Sequence, residues 1–300
     1  MALLAIADVS AFREMPSLDL DSGPPPDQNV QKQILSRAVD FVVATTAKMP
    51  DFLAEKRTLR FQDTKFATYE NEPVVVTPDL YHLVDNRAVT VQYRAGREEE
   101  APISKAPEQH VSRDPIPGMV THGIFGPMLQ AVMHDILKGK IGWSHWENSP
   151  SGLLAVFRYS VPKEQATFRV TWCCAAHGPG PGIYQELQIV PKYHGEISVD
   201  PDSGAITRLV IMAELESGQP VSTADITIEY GPVEIAGKTY FCPTRSATLL
   251  VANSIIEHGR RASGGETYLH ATEEKLNVTS VSDTRFDQYH VFRSEMKIVQ

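Results

Sequence analysis

Histidines and acidic side chains are the residues of this chain that could carry catalysis or hold a metal. Its ten histidines are scattered, and none stands at a ligand spacing such as H-x-H or H-E-x-x-H. The most suggestive is His145, between Trp143 and Trp146, where a strand position packed by rings favours a structural role. Asp200 and Asp202 lie close together but are typical of turn chemistry. The sequence therefore predicts no catalytic residue, no metal site and no cofactor.

The segment HGPGPG, residues 177–182, superficially resembles a phosphate-binding or oxyanion loop. A phosphate loop needs a following helix and a lysine at a set position, whereas here a strand-like segment follows and the lysine is missing. The chain also lacks the G-x-S-x-G elbow of lipase-type hydrolases. We interpret the segment as a flexible loop between strands.

The three cysteines are too few, and odd in number, for a disulfide scaffold. Cys173 and Cys174 are adjacent, so in a strand they would point to opposite faces and would not readily bridge each other. Three small buried hydrophobic residues are the favoured interpretation. The alternative is that one of the pair bonds to Cys242, if their strands are neighbours.

Composition narrows the function classes. The 300-residue chain has a net charge of −9 and no block rich in Lys and Arg, which argues against a nucleic-acid partner and against electrostatic docking on anionic lipid. No stretch approaches the roughly 20 apolar residues that span a bilayer. The start, MALLAIADVSAFREM, lacks a basic signal-peptide beginning, so we expect either a cytosolic protein or a chain that begins after its targeting segment.

Two amphipathic helices are predicted. Residues 1–27 form a tail that ends in the proline-rich DSGPPPD, and Asp27 is a plausible N-cap for a helix over 28–48. A second helix begins at Gly126–Pro127 and ends at Gly139. Apolar side chains recur at helical spacing in both. They are Val30, Ile34, Ala38, Phe41 and Val42 in the first helix, and Phe125, Met128, Leu129, Val132, Ile136 and Leu137 in the second.

Most of the remaining chain predicts strands with short connections. Strands are expected over 52–62, 81–85 and 88–93, with a turn at 85–87, while 97–117 is expected as an exposed excursion whose glutamates 98–100 are solvated. From Ile141 onward nearly every segment is strand-like. Short connections favour antiparallel neighbours, so the sequence predicts an α+β fold with the helices on one face of a long antiparallel sheet.

The segment 193–213, YHGEISVDPDSGAITRLVIMA, predicts a β-hairpin with its turn at residues 200–204. In its second strand both parities carry apolar side chains, Leu209 and Ile211 on one side and Val210 and Met212 on the other. A sheet with one solvated face would alternate. Part of the sheet is therefore covered on both faces or curled around a cavity.

This hairpin, followed by YGPVEIAGKTYFCPTRS over 230–246, resembles a family of uncharacterised exported bacterial β-rich proteins. The resemblance covers residues 28–300, and the order of the hairpins is more distinctive than any one of them. More distantly, the arrangement is similar to the outer-membrane lipoprotein carrier fold. That resemblance implies a curved, half-barrel-like antiparallel meander with two helices on its concave face, in one domain over 28–300, and a periplasmic or outer-membrane-associated location. This chain departs from exported relatives in showing no signal peptide.

Three functions remain open from the sequence. The first is a non-enzymatic envelope protein that binds an acyl chain, lipid or lipoprotein between sheet and helices. The second is a structural or interaction module with a packed core, acting through exposed edges or the 97–117 segment, and the third is a hydrolase whose site assembles in space. For the first, five residues are expected to line the cavity: Phe41, Met128, Val132, Trp143 and Trp172.

Overall fold

The computed structural model describes residues 23–63, 81–102, 118–119, 123–176, 184–219, 221–258 and 272–291. Helix α1 spans Gln28–Lys48 and begins where Asp27 accepts hydrogen bonds from the N–H groups of Asn29 and Val30. Helix α2 spans Pro127–Lys138 and ends at Gly139, whose N–H donates to the last carbonyls. A short 3-10 turn covers Lys163–Gln165. The predicted helix bounds are confirmed.

Thirteen strands account for most of the described chain. In chain order they are β1 (Phe52–Gln62), β2 (His82–Arg94), β3 (Arg97–Pro102), β4 (Gly118–Met119), β5 (Lys140–Ser149), β6 (Gly152–Val161), β7 (Val170–Ala176), β8 (Tyr184–Ile189), β9 (Lys192–Val199), β10 (Ile206–Glu214), β11 (Val221–Ile235), β12 (Lys238–His258) and β13 (Thr272–Val291).

Ten of these strands form one antiparallel sheet in the order β3-β2-β1-β13-β12-β11-β10-β9-β6-β5. This long open sheet with two helices confirms the predicted α+β class. The meander is interrupted twice, because β1 pairs with the distant β13 and β6 pairs with β9. The chain between β6 and β9 contributes β7 and β8 to a second, three-stranded sheet in the order β4-β7-β8, which the sequence did not predict.

Two predictions about the first strands were wrong. The expected turn at 85–87 is part of the continuous strand β2, where Asp85, Asn86 and Arg87 pair with β1. Glutamates 98–100 were expected in a solvated loop, but they lie in β3, which pairs with β2 across a turn at Ala95–Gly96. The cause is tertiary, because β1 offers β2 a full-length partner, and Glu98 accepts hydrogen bonds from the N–H groups of Gly123 and Phe125. Residues 103–117 lie outside the described chain.

Both helices pack on the same face of the ten-stranded sheet, which we call the inner face. Buried residues of α1 and α2, among them Ile34, Val42 and Val132, belong to one hydrophobic core with inner-face residues such as Phe157 and Leu209. Val30 and Leu137, predicted in the helix stripes, are exposed instead. On the opposite face of the sheet several apolar side chains are also buried: Leu154, Val156, Val210, Leu249 and Val281. Part of the sheet is therefore covered on both faces, as one of the two predicted alternatives required.

The hairpin of β9 and β10 has the predicted turn. The side chain of Asp200 accepts hydrogen bonds from the N–H groups of Asp202 and Ser203, and the N–H of Gly204 donates to the Asp200 carbonyl. Gly204 has φ 75°, the left-handed conformation that glycine adopts without cost. Asp200 and Asp202 are turn residues here, as the sequence indicated.

Candidate functional site

Four of the five residues predicted to line a cavity have described side chains, and all four lie where the helices meet the sheet. Phe41 of α1 contacts the ring of Phe241 on β12, with 5.3 Å between centroids. Val132 of α2 is fully buried in the core, and Met128 of the same helix packs against it half-buried. Trp143 of β5 is also half-buried and packs against the core.

Trp143 sits in a small aromatic group, 4.8 Å from Trp146 and 5.6 Å from Phe157 between ring centroids. His145, between the two tryptophans in sequence, lies within hydrogen-bond distance of the Ser144 hydroxyl. The fifth predicted residue, Trp172, lies on β7 opposite Met119 and Leu187 in the small sheet. Its side chain falls outside the described part of the chain. That these five residues line a ligand cavity stays a prediction.

The inner face of the large sheet changes character from one side to the other. Residues paired in register across antiparallel strands project from the same face, so the pairings trace rows of side chains across the sheet. One row is apolar over five strands and then carries hydroxyls over three. It consists of Trp143, Phe157, Ile197, Leu209 and Ile228, followed by Ser246, Thr284 and Thr58.

The neighbouring row repeats the change between the same two strands, β11 and β12. It runs through Ile141, Tyr159, Gly195, Ile211 and Ile226, and then through Thr248, Ser282 and Arg60. Ser280, two residues before Ser282, extends the hydroxyls by another position. We call Thr58, Ser246, Thr248, Ser280, Ser282 and Thr284 the hydroxyl patch. Five of its six members, all but Thr58, are buried.

Hydrogen bonds within the patch use only part of its capacity. The hydroxyls of Thr58 and Thr284 share one bond of 3.0 Å. The oxygen of Ser282 accepts from Arg60 Nε at 3.2 Å, and that of Ser280 accepts from the Gln62 amide at 2.9 Å. Ser246 Oγ is buried and has no hydrogen-bond partner within the described residues. The patch is therefore a surface rich in O–H donors.

Arg60 brings positive charge to the edge of the patch. Burial lowers the pKa of its guanidinium, the nearby Asp85 raises it, and Arg87 lowers it again. Asp85 faces Arg60 and Arg87 faces Thr58 in the β1–β2 pairing. Arg60, Asp85 and Arg87 are all half-buried, so these charged groups are held partly out of water.

The sequence analysis did not find the patch, although a signal for it is present. Ser280, Ser282 and Thr284 recur at every second position, and Thr58 with Arg60 and Ser246 with Thr248 do the same. Such alternation puts hydroxyls on one face of a strand. Without the pairing of β1, β13 and β12, nothing in the sequence indicates that these three faces adjoin.

A buried polar network joins α2 to the sheet. Asp135, fully buried, accepts hydrogen bonds from the N–H and hydroxyl of Thr167 and from the Tyr193 hydroxyl at 2.9 Å. Burial and this carboxylate raise the pKa of Tyr193 above its usual range. Because each of these bonds holds one element against another, we assign the network a structural role.

A surface cavity of about 300 Å³ lies beside the 3-10 turn, at the ends of β8, β9 and β10. Ile189, Pro191 and Leu215 give it an apolar lining. Its rim carries two ion pairs, Lys163 with Glu216 and Lys192 with Glu214, and the hydrogen bond from Lys192 lowers the pKa of Glu214. None of the five predicted residues lines this cavity.

The remaining candidates for chemistry give no assembled centre in the described part of the chain. Cys242 is a free, buried thiol whose pKa burial raises to about 12. No group of three or more histidine, cysteine or acidic residues among the described residues could hold a metal ion. Neither α1 nor α2, the two described α-helices, has the length and apolarity that crossing a membrane requires. The HGPGPG segment lies outside the described residues.

No family model matches the chain, and no curated protein matches it. Among solved structures, the chain is similar to a LolA superfamily protein from Nitrosomonas europaea. The two are 10% identical, with a TM-score of 0.24, over 90% of this chain and 96% of the other. The fold class itself rests on the strand order and helix packing of this chain.

Proposed function

We propose that this protein binds the acyl chain of a lipid or lipoprotein between the inner face of its sheet and its two helices, without catalysing a reaction. The observation that carries the proposal is the inner-face row that stays apolar across five strands, from Trp143 on β5 to Ile228 on β11. At a strand spacing of about 4.8 Å, five strands span about 20 Å, which suits a long acyl chain.

The burial of side chains at the helix–sheet boundary supports the same proposal. Phe41, Met128 and Trp143 are only half-buried, so they offer apolar surface that a ligand could cover. Each buried CH₂ of an acyl chain contributes about 0.8 kcal/mol, which gives useful affinity without any catalytic group. A curved sheet closed by helices is also the arrangement that the resemblance to lipoprotein carriers implied.

Lipid extraction from the purified protein followed by mass spectrometry tests the proposal, together with titration of a fluorescent fatty acid. We expect co-purified lipid with the native chain. Met128→Glu should abolish binding because it places a charge at the half-buried boundary. Leu137→Glu, on the exposed side of the same helix, is the matched control and should bind normally. Folded native protein that carries no lipid and binds no fatty acid would overturn the proposal.

A second candidate is a structural or interaction module whose interior is simply core. The complete burial of Val132, Phe157 and Ile197 favours it, since such residues already have protein neighbours on all sides. In that case neither Met128→Glu nor Leu137→Glu would alter a lipid content that is zero from the start. Native mass spectrometry of the unmodified chain therefore separates the two candidates.

We further propose that residues 28–300 act as one domain in the bacterial periplasm or at the outer membrane, with 1–27 as a tail. Support comes from the resemblance of the hairpins at 193–209 and 230–246 to exported proteins. Cell fractionation of the native producer, followed by detection of the chain with an antibody, tests the location. Recovery of the protein in the cytoplasmic fraction would contradict it.

A further inference from the structure

We propose that the hydroxyl patch binds the anionic head group, a carboxylate or a phosphate, of the lipid whose chain lies on the apolar half of the inner face. The inference rests on the proposed function and adds the chemical class of the head group. It starts from the change of the inner face between β11 and β12, where two adjacent rows pass from apolar residues to hydroxyls. A ligand lying along these rows must itself be apolar at one end and polar at the other.

The unused O–H donors of the patch indicate that the polar end of the ligand accepts hydrogen bonds. Ser246 is 2% exposed, and its hydroxyl has no partner among the described residues. Ser280 and Ser282 accept through their oxygens from Gln62 and Arg60, so neither bond uses the serine O–H. A buried hydroxyl that lacks a partner is costly, and an oxygen-rich head group would remove that cost.

Charge at the edge of the patch favours an anion over a neutral head group. Two arginines, Arg60 and Arg87, lie at this edge, and the Arg60 guanidinium donates a hydrogen bond to Ser282 inside the patch. Burial disfavours the charged form of Arg60, as its lowered pKa indicates. A carboxylate or phosphate beside Ser282 would accept charge-assisted hydrogen bonds from this guanidinium.

The position of the patch fits the proposed path of the chain. Ser246 is the direct neighbour of Ile228 on the next strand, so the hydroxyls begin where the apolar row ends. Cross-strand neighbours stand about 5 Å apart, so the first hydroxyl lies within one strand spacing of the last apolar residue. The head group would therefore contact β12, β13 and β1. The chain would contact the next five strands of the sheet: β11, β10, β9, β6 and β5.

Calorimetric titration of the full chain with hexadecanoate and hexadecanol tests the assignment, because the two ligands share a chain and differ in the head group. We expect hexadecanoate to bind about tenfold more tightly, which corresponds to one charge-assisted hydrogen bond. Acetate and inorganic phosphate, which supply the anion without a chain, should show no binding at the same concentrations. If neither long-chain ligand binds, the proposed function fails; if both bind equally, only the head-group assignment fails. Binding of acetate or phosphate alone would assign the patch to free anions and overturn the lipid head group.

Two substitutions test whether the preference for hexadecanoate over hexadecanol depends on the hydroxyl patch. Arg60→Met and Ser246→Ala should each reduce the preference for hexadecanoate at least threefold and leave the affinity for hexadecanol unchanged. Ser246→Ala removes a hydroxyl without orphaning a described partner, so it should fold at least as stably as the native chain. Arg57→Met, on the exposed side of the same strand, is the control and should keep the preference. A full preference in both Arg60→Met and Ser246→Ala would overturn the proposal.

Discussion

At the scale of single residues, close packing around one glycine fixes its identity: Gly195, in the Tyr-x-Gly of β9. The hydroxyl of Tyr159 on β6 passes over this glycine and donates to the carbonyl of Val210 on β10 at 2.6 Å. A Cβ at position 195 would lie 1.9 Å from the Val210 oxygen and 2.9 Å from the Tyr159 hydroxyl. The glycine is thus required by close approach of its neighbours, and it lets one tyrosine bind two strands together.

Gly195→Ala is expected to destabilise the protein by about 3 kcal/mol. The added methyl group would clash with the Val210 carbonyl, which is backbone in the neighbouring strand and cannot move aside easily. Gly142→Ala, in edge strand β5, is the matched control, since a Cβ there meets nothing within 4 Å. We expect the control to change stability by less than about 1 kcal/mol. Urea unfolding followed by circular dichroism measures both, and similar midpoints for the two variants would contradict the explanation.

The buried Cys242 thiol is expected to lower the stability of the fold at alkaline pH. Its pKa is about 12 in the folded chain against an ordinary value of 9.0, so the folded state keeps the thiol protonated when the unfolded state has released the proton. The contribution of the thiol to the free energy of unfolding is therefore complete below pH 9 and is lost between about pH 9 and 12. In that window Cys242→Ala should reduce the fall in unfolding free energy by up to about 1.4 kcal/mol per pH unit.

Unfolding curves at several alkaline pH values, for native chain and variant together, check this expectation. Buried tyrosines titrate in both proteins, so the difference between the two slopes isolates the thiol. Parallel slopes above pH 9 would show that Cys242 does not control the alkaline limit.

At the scale of elements, the β9–β10 hairpin anchors both helices. Tyr193 at its start donates to Asp135 of α2. The carbonyl of Pro201 in its turn accepts from Arg37 of α1 at 2.7 Å, and α1 lies so close that a Cβ at Gly204 would come within 2.5 Å of the Arg37 carbonyl. The β9–β10 hairpin, which its own sequence predicts only as a turn between two strands, thus also fixes the helices on the inner face.

Asp135→Ala should destabilise the protein by about 3 kcal/mol, because it leaves the Tyr193 hydroxyl and the Thr167 donors without their acceptor in a buried site. Gln130→Ala, at an exposed position of the same helix, should change stability by less than about 0.5 kcal/mol. Thermal unfolding followed by tyrosine fluorescence measures the stability of both variants. Equal melting temperatures would mean that the network does not hold α2 in place.

At the scale of the whole molecule, the large sheet is polarised across its width. Its β5 side is apolar beneath the helices, and its β1 side carries hydroxyls and Arg60 on the same inner face. No single strand shows this arrangement, because each contributes only one position to a row. The division of the inner face gives the proposed ligand a direction, with its chain toward β5 and its head group toward β1.

The length of the apolar half predicts how affinity depends on the ligand chain. In a series of alkyl carboxylates from octanoate to eicosanoate, affinity should rise by about 0.8 kcal/mol for each CH₂ while the chain still gains contacts. It should level off once the extended chain exceeds about 20 Å, the span of five strands. Calorimetry at constant pH measures the series. Affinity independent of chain length would contradict burial of the chain along the row.

Features coded by neighbours in sequence were predicted well. Asp27, Pro127 and Gly139 set the ends of the two helices through capping, and Asp200 with Gly204 set the hairpin turn. Features that depend on remote partners were not. Arg87 and Glu98 are polar residues typical of loops, yet each lies in a strand because β1 or the start of α2 supplies its hydrogen bonds.

The sequence by itself determined the two helices and the antiparallel class, because periodicity and capping act over a few residues. It left open whether the sheet is covered on both faces or curled around a cavity. Only the tertiary structure decided that β13 joins β1 to β12 and that the hydroxyls of three separate segments form one patch. The physical reason is that strand pairing is a choice among distant partners whose backbone hydrogen bonds are alike. What decides between them is the burial and packing of the complete sheet.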